Sequence, residues 1–301
     1  MVVEVGYKNF NLFAMGLIMH DLVRRAIIHI RRGRFNFEVY QKIGADGSAD
    51  VVTNVDKSVQ QIYTDTLREM FPEYGIIAEE NDFCIEPTNP HNLYFSIDGI
   101  DGTKAFIRRQ SHGIGSMISL SAGEDVIAAY IGDVMTQEIY GFHNVSPQVY
   151  RYSQDGDPEY LVINRAHSLN HKILLLGDPP DECSVLVQMM GKRYRHGGLF
   201  RQLEVGSGSI GISMARLWKG EVGGIVLGPC HDTPWDFNPM LGISQKMEFV
   251  FLRILRDDSI LQVDMHSLSK ITNRPHELLV VHKSRIEELM HWYHNRPTTM
   301  V

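Results

Sequence analysis

Asn92-Leu93-Tyr94-Phe95-Ser96-Ile97-Asp98-Gly99-Ile100-Asp101-Gly102-Thr103 is the most informative stretch of the chain. Its apolar first half reads as a short strand, which runs into two carboxylates at Asp98 and Asp101. The glycines between and after them relax the backbone, so that a carbonyl can turn to the same side as the acids. Thr103-Lys104-Ala105-Phe106-Ile107-Arg108-Arg109 can then start a helix. A helix start offers free N–H groups and a partial positive charge, which suit a phosphate. Taken alone, the two Asp-Gly pairs read equally well as a tight turn between strands.

Working outward, other acids fall where the chain would present them to a metal. Gly75-Ile76-Ile77-Ala78 reads as a second strand ending at Glu79 and Glu80, the first of them the better placed. Asp236, beside Trp235, comes from the far half of the chain. Strand ends and their loops are where a scaffold aims side chains into a crevice. Hard cations such as Mg²⁺ take a few carboxylates and fill the remaining positions with water and substrate phosphate. Converging carboxylates repel one another unless a cation or shared protons neutralise them. Metals on one side and a helix start on the other would clamp a phosphoryl group.

The flanking pattern is α plus β. A helix is expected from about Phe10 to Ile30, stopped near Gly33, and another from about Thr53 to Met70, stopped near Pro72. Gly44 to Asp50 between them reads as a polar loop. Strands follow at Met117–Ser121, Val126–Asp133 and Glu138–Phe142. Asn144 to Glu159 is polar and turn-rich and reads as the boundary between two halves. Beyond it come a strand from Tyr160 to Ile163 and helices at Ser184–Met190 and Ser209–Lys219. Strands at Gly223–Leu227 and Phe249–Leu255 precede a closing strand at His276–Val281 and a helix at Ser284–Trp292.

The composition, 44% hydrophobic and 22% charged over 301 residues, is that of a globular chain with a substantial core. Acids outnumber bases, 36 to 29, so the overall field does not favour nucleic acid, and a small anion needs local help from a metal or a helix start. Cys84, Cys183 and Cys230 are odd in number and far apart, which argues against a disulfide framework and for a reducing, cytoplasmic setting. The apolar-rich N-terminal stretch carries its positive charge after it and is interrupted by His20 and Asp21. It reads as an amphipathic helix packed on the domain, neither signal peptide nor membrane span.

At these residues the sequence resembles the inositol monophosphatase superfamily of magnesium-dependent, lithium-sensitive phosphatases. Asp50-Val51-Val52-Thr53-Asn54-Val55-Asp56 is similar to the family's D-x-V-T-x-x-D segment, and Ile77-Ala78-Glu79-Glu80-Asn81 to its G-E-E-S stretch. Asp98 to Thr103 is similar to D-P-I-D-G-T, and Trp235-Asp236 to the late W-D. All four occur in family order. The resemblance implies a layered αβαβα sandwich, usually a homodimer. Residues 1–145 would form an N-terminal half with two helices and a mainly antiparallel sheet, bearing most metal ligands. Residues 146–301 would form an α/β half supplying Asp236 and the substrate pocket.

The resemblance also implies roles. Glu79, Asp98 and the Ile100 carbonyl would hold one Mg²⁺; Asp98, Asp101 and Asp236 would hold a second; Glu80 would support these or a third, weaker metal. Thr103, oriented by Asp56, would position and activate the attacking water, and the N–H groups of Gly102 and Thr103 would meet the phosphate. Gly99 stands where the family has proline, and Pro229 lies near the place of a glutamate that contacts inositol hydroxyls. Asp101-Gly102-Thr103-Lys104-Ala105-Phe106-Ile107 is closer to the bisphosphate nucleotidase and histidinol-phosphatase branches. Asn164-Arg165-Ala166-His167-Ser168 is similar to the nucleotidases' S-R-S-H loop, so Arg165 and His167 become candidate substrate contacts. Ser207, in a Gly-Ser segment before a helix, is a third.

There is no HExxH, no paired Cys-His spacing, no G-x-S-x-G elbow and no P-loop. The expected protein is thus an Mg²⁺-dependent phosphomonoesterase that cleaves a small phosphorylated metabolite with metal-activated water. A 3′(2′),5′-bisphosphate nucleotidase or histidinol-phosphate phosphatase is the alternative within the class. A metal-retaining binding module is the alternative outside it.

Overall fold

The computed structural model describes residues 12–163 and 167–296. Seven α-helices occur among them: α1 (Leu12–Gly33), α2 (Asn54–Met70), α3 (Thr103–Ile107), α4 (Val185–Met190), α5 (Ile210–Trp218), α6 (Pro234–Lys246) and α7 (Ile286–Asn295). The expected start of the first helix, at Phe10, lies outside the described residues.

Two sheets organise the chain. The first has eight strands, in spatial order Glu159–Tyr160, Tyr150–Tyr152, Ile139–His143, Asp125–Asp133, Gly115–Ala122, Leu93–Asp101, Gly75–Ala78 and Phe83–Ile85. Its neighbours are antiparallel except Gly75–Ala78 and Leu93–Asp101, which run parallel. The second has six strands, in the order Gln202–Val205, Ile173–Leu176, Gly224–Leu227, Glu277–His282, Phe249–Ile254 and Ile260–Val263. Its first three are parallel and the rest antiparallel.

Alternation along the strands divides the apolar residues into three cores. Ile118, Leu120 and Tyr130 face α1 and α2, packing with Met19, Val23, Val59 and Tyr63. Met117, Ala129 and Ile131 face the other way, onto Ile212 and Met214 of α5 and Phe237 and Leu241 of α6, which in turn meet Leu175 and Val280 of the second sheet. Leu174, Leu176, Leu279 and Val281 point to the far side, against Leu186 of α4 and Leu289 of α7. The result is an αβαβα sandwich, the layered fold expected. A one-residue slip in either sheet would exchange these faces, so the cores fix the register.

Several elements differ from the sequence reading. The strand from Leu93 does not stop at Ile97 but continues to Asp101, with a register shift between Asp98 and Asp101. At Gly99 the strand passes close to the start of α2: a Cβ there would lie 3.1 Å from the Asp56 carbonyl oxygen. The loop from Gly44 is the tip of a hairpin, Val39–Ile43 with Ala49–Thr53. The stretch read as a boundary contributes the last two strands of the first sheet, and residues 161–163 are not strand. Helix α6 was not expected: nearly all of it is buried, so it shows no apolar stripe, and Pro239 sits inside it. No helix among the described residues is long and apolar enough to cross a membrane.

Candidate active site

The site forms where the bulged strand Leu93–Asp101 meets the starts of four helices, α2, α3, α5 and α6. Thr53 caps α2, and Asp56 closes a capping box by accepting from the Thr53 N–H at 2.9 Å and from its hydroxyl. The other oxygen of Asp56 accepts from Thr103 Oγ1 at 2.8 Å. Thr103 Oγ1 also lies 3.1 Å from the Ile100 carbonyl. Gly102, at φ +93°, lets the chain turn from strand to α3; a Cβ there would lie 2.3 Å from the Gly113 carbonyl oxygen.

Asp101 is tied to α5. Its carboxylate accepts from the Ser209 hydroxyl, from Ile210 N–H at 3.1 Å and from Gly211 N–H at 2.8 Å, so it caps that helix from far away in sequence. Asp236 lies in the first turn of α6 and accepts from Thr233 Oγ1 at 2.6 Å. Glu79 and Glu80 both accept from Lys42 Nζ, each at 2.7 Å, across from the hairpin.

Asp98, Asp101 and Asp236 each offer an oxygen within 4.8 Å of the others. Burial, then the charges of Glu79, Asp236 and Asp101, hold the Asp98 carboxyl well above the usual carboxylate range. Burial and the charges of Asp101 and Glu79 push Asp236 up to about 8. Burial lifts Asp101 to about 6 against the hydrogen bonds from Ser209 and the start of α5. Burial and Glu79 lift Glu80 to about 7. For Lys42, burial alone would depress the ammonium, but Glu79 and Glu80 outweigh it and raise it. Asp98 Oδ1 is sealed from solvent with no hydrogen-bond partner. A buried carboxylate oxygen in that position is costly unless a cation meets it, so the residues fit a divalent metal with oxygen ligands.

Of the residues singled out from sequence, Asp56, Glu79, Glu80, Asp98, Ile100, Asp101, Gly102, Thr103 and Asp236 converge here. A cleft of about 580 Å³ reaches Glu79, Glu80 and Asp236, walled by Lys42, Asp46 and Asp50 of the hairpin and by His231, Thr233 and Trp235. Ser207 lines a separate, adjoining cavity with Gly206 and Gly208. His167 stands elsewhere: its carbonyl accepts from Arg285 Nη2 at 2.6 Å and its ring is 6.0 Å from that of His171. Arg165 lies outside the described residues. Lys42, Ser209 and Thr233 were not assigned to the site from sequence. Thr233 carried a signal, a hydroxyl three residues before an acid at a helix start; Lys42 carried none.

The inositol monophosphatase family matches residues 17–241, and the chain belongs to that family. Membership makes it a phosphoric monoester hydrolase. Among curated relatives, the Nus factor SuhB of Escherichia coli K12 is 28% identical over 230 residues, covering 73% of this chain and 80% of the relative. The inositol-1-monophosphatase of Bacillus subtilis is 34% identical over 94 residues, 30% of this chain and 34% of that one. The fold is shared with a dual-specific IMPase/NADP phosphatase solved with D-inositol-1-phosphate, at TM-score 0.70 and 15% identity over 94% of this chain and 96% of that one. It is also shared with the suhB protein of Bartonella henselae, at TM-score 0.68 and 15% identity over 93% and 98%.

Proposed function

We propose that the chain hydrolyses the phosphomonoester of a small metabolite with Mg²⁺, held by Glu79, Asp98, Asp101, Asp236 and the Ile100 carbonyl. The observation that carries this reading is the meeting of Asp98 and Asp101, both buried, with the half-buried Asp236, one Asp98 oxygen being sealed from solvent without a partner. Bound Mg²⁺, two or three ions per site, would offset the clustered negative charge and supply Lewis acidity toward water and phosphate.

The chain's own groups orient the reaction. Because Thr103 Oγ1 gives its proton to Asp56, its lone pairs remain free to accept from the attacking water and hold it in line. Burial raises the Asp56 carboxyl above its usual range, which makes it a better proton acceptor at the end of that relay. The first N–H groups of α3, at Gly102 and Thr103, are left without intrahelical partners and would meet the phosphoryl oxygens. Glu80, pinned by Lys42 and by Gln60, supports the arrangement from behind. Lithium inhibition, a homodimer and a cytoplasmic setting complete the reading, the last supported by three unpaired cysteines.

The test is a panel of small phosphate esters assayed with Mg²⁺ and again with a chelator. Release of phosphate that depends on Mg²⁺ and falls away in Asp98→Asn supports the reading. Metal-independent release, or full turnover by that variant, overturns it.

A further inference from the structure

The adjoining cavity carries information about the alcohol part of the substrate. It has a volume of about 230 Å³ and lies at the carboxyl ends of two neighbouring parallel strands, Ile173–Leu176 and Gly224–Leu227, the usual place for a ligand crevice in an α/β sheet. It adjoins the cleft that Glu79, Glu80 and Asp236 line. Gly208, in its wall, precedes Ser209, whose hydroxyl donates to Asp101. Cys230 lines both the cavity and the cleft.

Its floor is apolar, formed by Leu175, Leu176, Ile225 and Leu227. Two charged residues reach it, and they differ in kind. Arg274 is committed to the protein. Its Nε donates to Asp232 at 2.9 Å, its Nη1 to the carbonyls of Leu227, Gly228 and His276, and its Nη2 to Cys230 Sγ at 2.8 Å. Its charge is matched by Asp232 in a largely buried ion pair. Asp178 has no hydrogen-bond or ion-pair partner among the described residues. It is half-buried over Gly228, where any Cβ would overlap its Oδ2 at 1.7 Å. The field beside it is negative as well: burial, then Glu277, Asp178, Glu182 and Asp181, push the nearby Cys183 thiol up to about 11.

Resting on the phosphatase reading, we propose that this cavity receives the alcohol part of the ester, and that Asp178 selects substrates carrying a nitrogen cation on an apolar body. A second phosphate would meet an unmatched carboxylate and no uncommitted cation among the lining residues. A polyol would find Asp178, Ser207 and Ser213 as partners for some of its hydroxyls, but those turned onto Leu175, Leu176, Ile225 and Leu227 would lose water without replacement, whereas an apolar body loses nothing there. An ammonium or imidazolium meets Asp178 with complementary charge while its carbon body covers the floor.

The test uses the purified chain with Mg²⁺ and three esters: phenylalaninol phosphate, its N-acetyl derivative, and a nucleoside 3′,5′-bisphosphate. The acetyl group removes the cation and leaves the rest of the ester in place. The expected kcat/KM for the free amine exceeds that for the acetylated ester by about tenfold, the scale of one charge-assisted contact. Asp178→Asn is expected to shrink that preference to about twofold or less, chiefly by raising KM for the amine. Asp178→Ser serves as a second variant if the amide does not fold over Gly228. Equal rates for amine and acetyl esters, preference for the bisphosphate, or a preference that persists in the variants overturns this inference and leaves the phosphatase reading standing. Hydrolysis of none of the three, together with failure of the wider ester panel, overturns both.

Discussion

Thr103 Oγ1 donates to Asp56 Oδ1 at 2.8 Å, across 47 residues of sequence, while the second oxygen of Asp56 is occupied in the capping box of α2. One carboxylate therefore anchors a helix start and orients a hydroxyl at the candidate reaction centre. An amide has one acceptor oxygen and cannot hold both bonds. Asp56→Asn should lower kcat by about 10²-fold with KM changed by less than about threefold, because the contact is used in the transition state and not in binding. The cap should cost about 1 kcal/mol in thermal unfolding. Steady-state kinetics beside melting curves separate the two effects; an unchanged kcat would remove Thr103 and Asp56 from the reaction.

The residues of that pair were readable because each sits in a short motif with its own local grammar. The capping Thr53 and Asp56 are three apart, and Asp98 to Thr103 is contiguous. The partners that complete the site were not readable in the same way. Lys42 lies 37 residues from Glu79 and Ser209 lies 108 from Asp101, so only the folded chain brings them together. The fold shows the same division. The layered architecture was legible from the resemblance, and most helices and strands from periodicity. Helix α6 lacks periodicity because it is buried on nearly every side, and the strand through Asp98 and Asp101 carries carboxylates that ordinarily end a strand.

Asp98 is the position where function opposes stability. Its carboxylate is buried among Glu79, Asp101 and Asp236, and one oxygen has no partner. Asp98→Asn keeps the shape and removes the repulsion, so without metal the variant should be more stable by about 1 kcal/mol, a rise of roughly 2–4 °C in Tm. Nearly all turnover should be lost, and Asp236→Asn should lose it likewise. Melting in chelator, paired with phosphate-release assays, reads both sides. A variant that melts lower and still turns over would place the metal elsewhere.

The same carboxylates set a pH dependence with a definite sign. Asp101 at about 6, Glu80 at about 7 and Asp236 at about 8 lie above the values such groups have in an unfolded chain. Between those unfolded values and about pH 8, the metal-free native state therefore holds more protons than the unfolded state, and these groups lose their contribution to stability as pH rises. Mg²⁺ takes the place of those protons, so the stabilisation it confers should grow over the same window. The rise in Tm on adding saturating Mg²⁺ should be larger near pH 8 than near pH 5.5, by several degrees. His20 and His143, which burial lowers, titrate in both arms and largely cancel in the difference. A metal increment that is flat with pH would mean that the protonated carboxylates are not the ones that bind.

Ser209 joins the capping of α5 to the electrostatics of Asp101. Its hydroxyl accepts from the Ile212 N–H at 2.9 Å and donates to the Asp101 carboxylate. Ser209→Ala removes both, leaving Asp101 with the N–H groups of Ile210 and Gly211. The lost cap should cost about 1 kcal/mol of stability. With one fewer hydrogen bond to its charged form, Asp101 should hold its proton more firmly, and Mg²⁺ affinity near neutral pH should fall by about tenfold, the scale seen when a ligand's supporting contact is removed. Ser213, one turn further along α5, provides the comparison, since among the described residues its hydroxyl bonds the Ser209 carbonyl and not Asp101. Calorimetric Mg²⁺ titrations of both variants decide the matter: if Ser213→Ala weakens binding as much as Ser209→Ala, helix stability and not the Asp101 contact governs the metal.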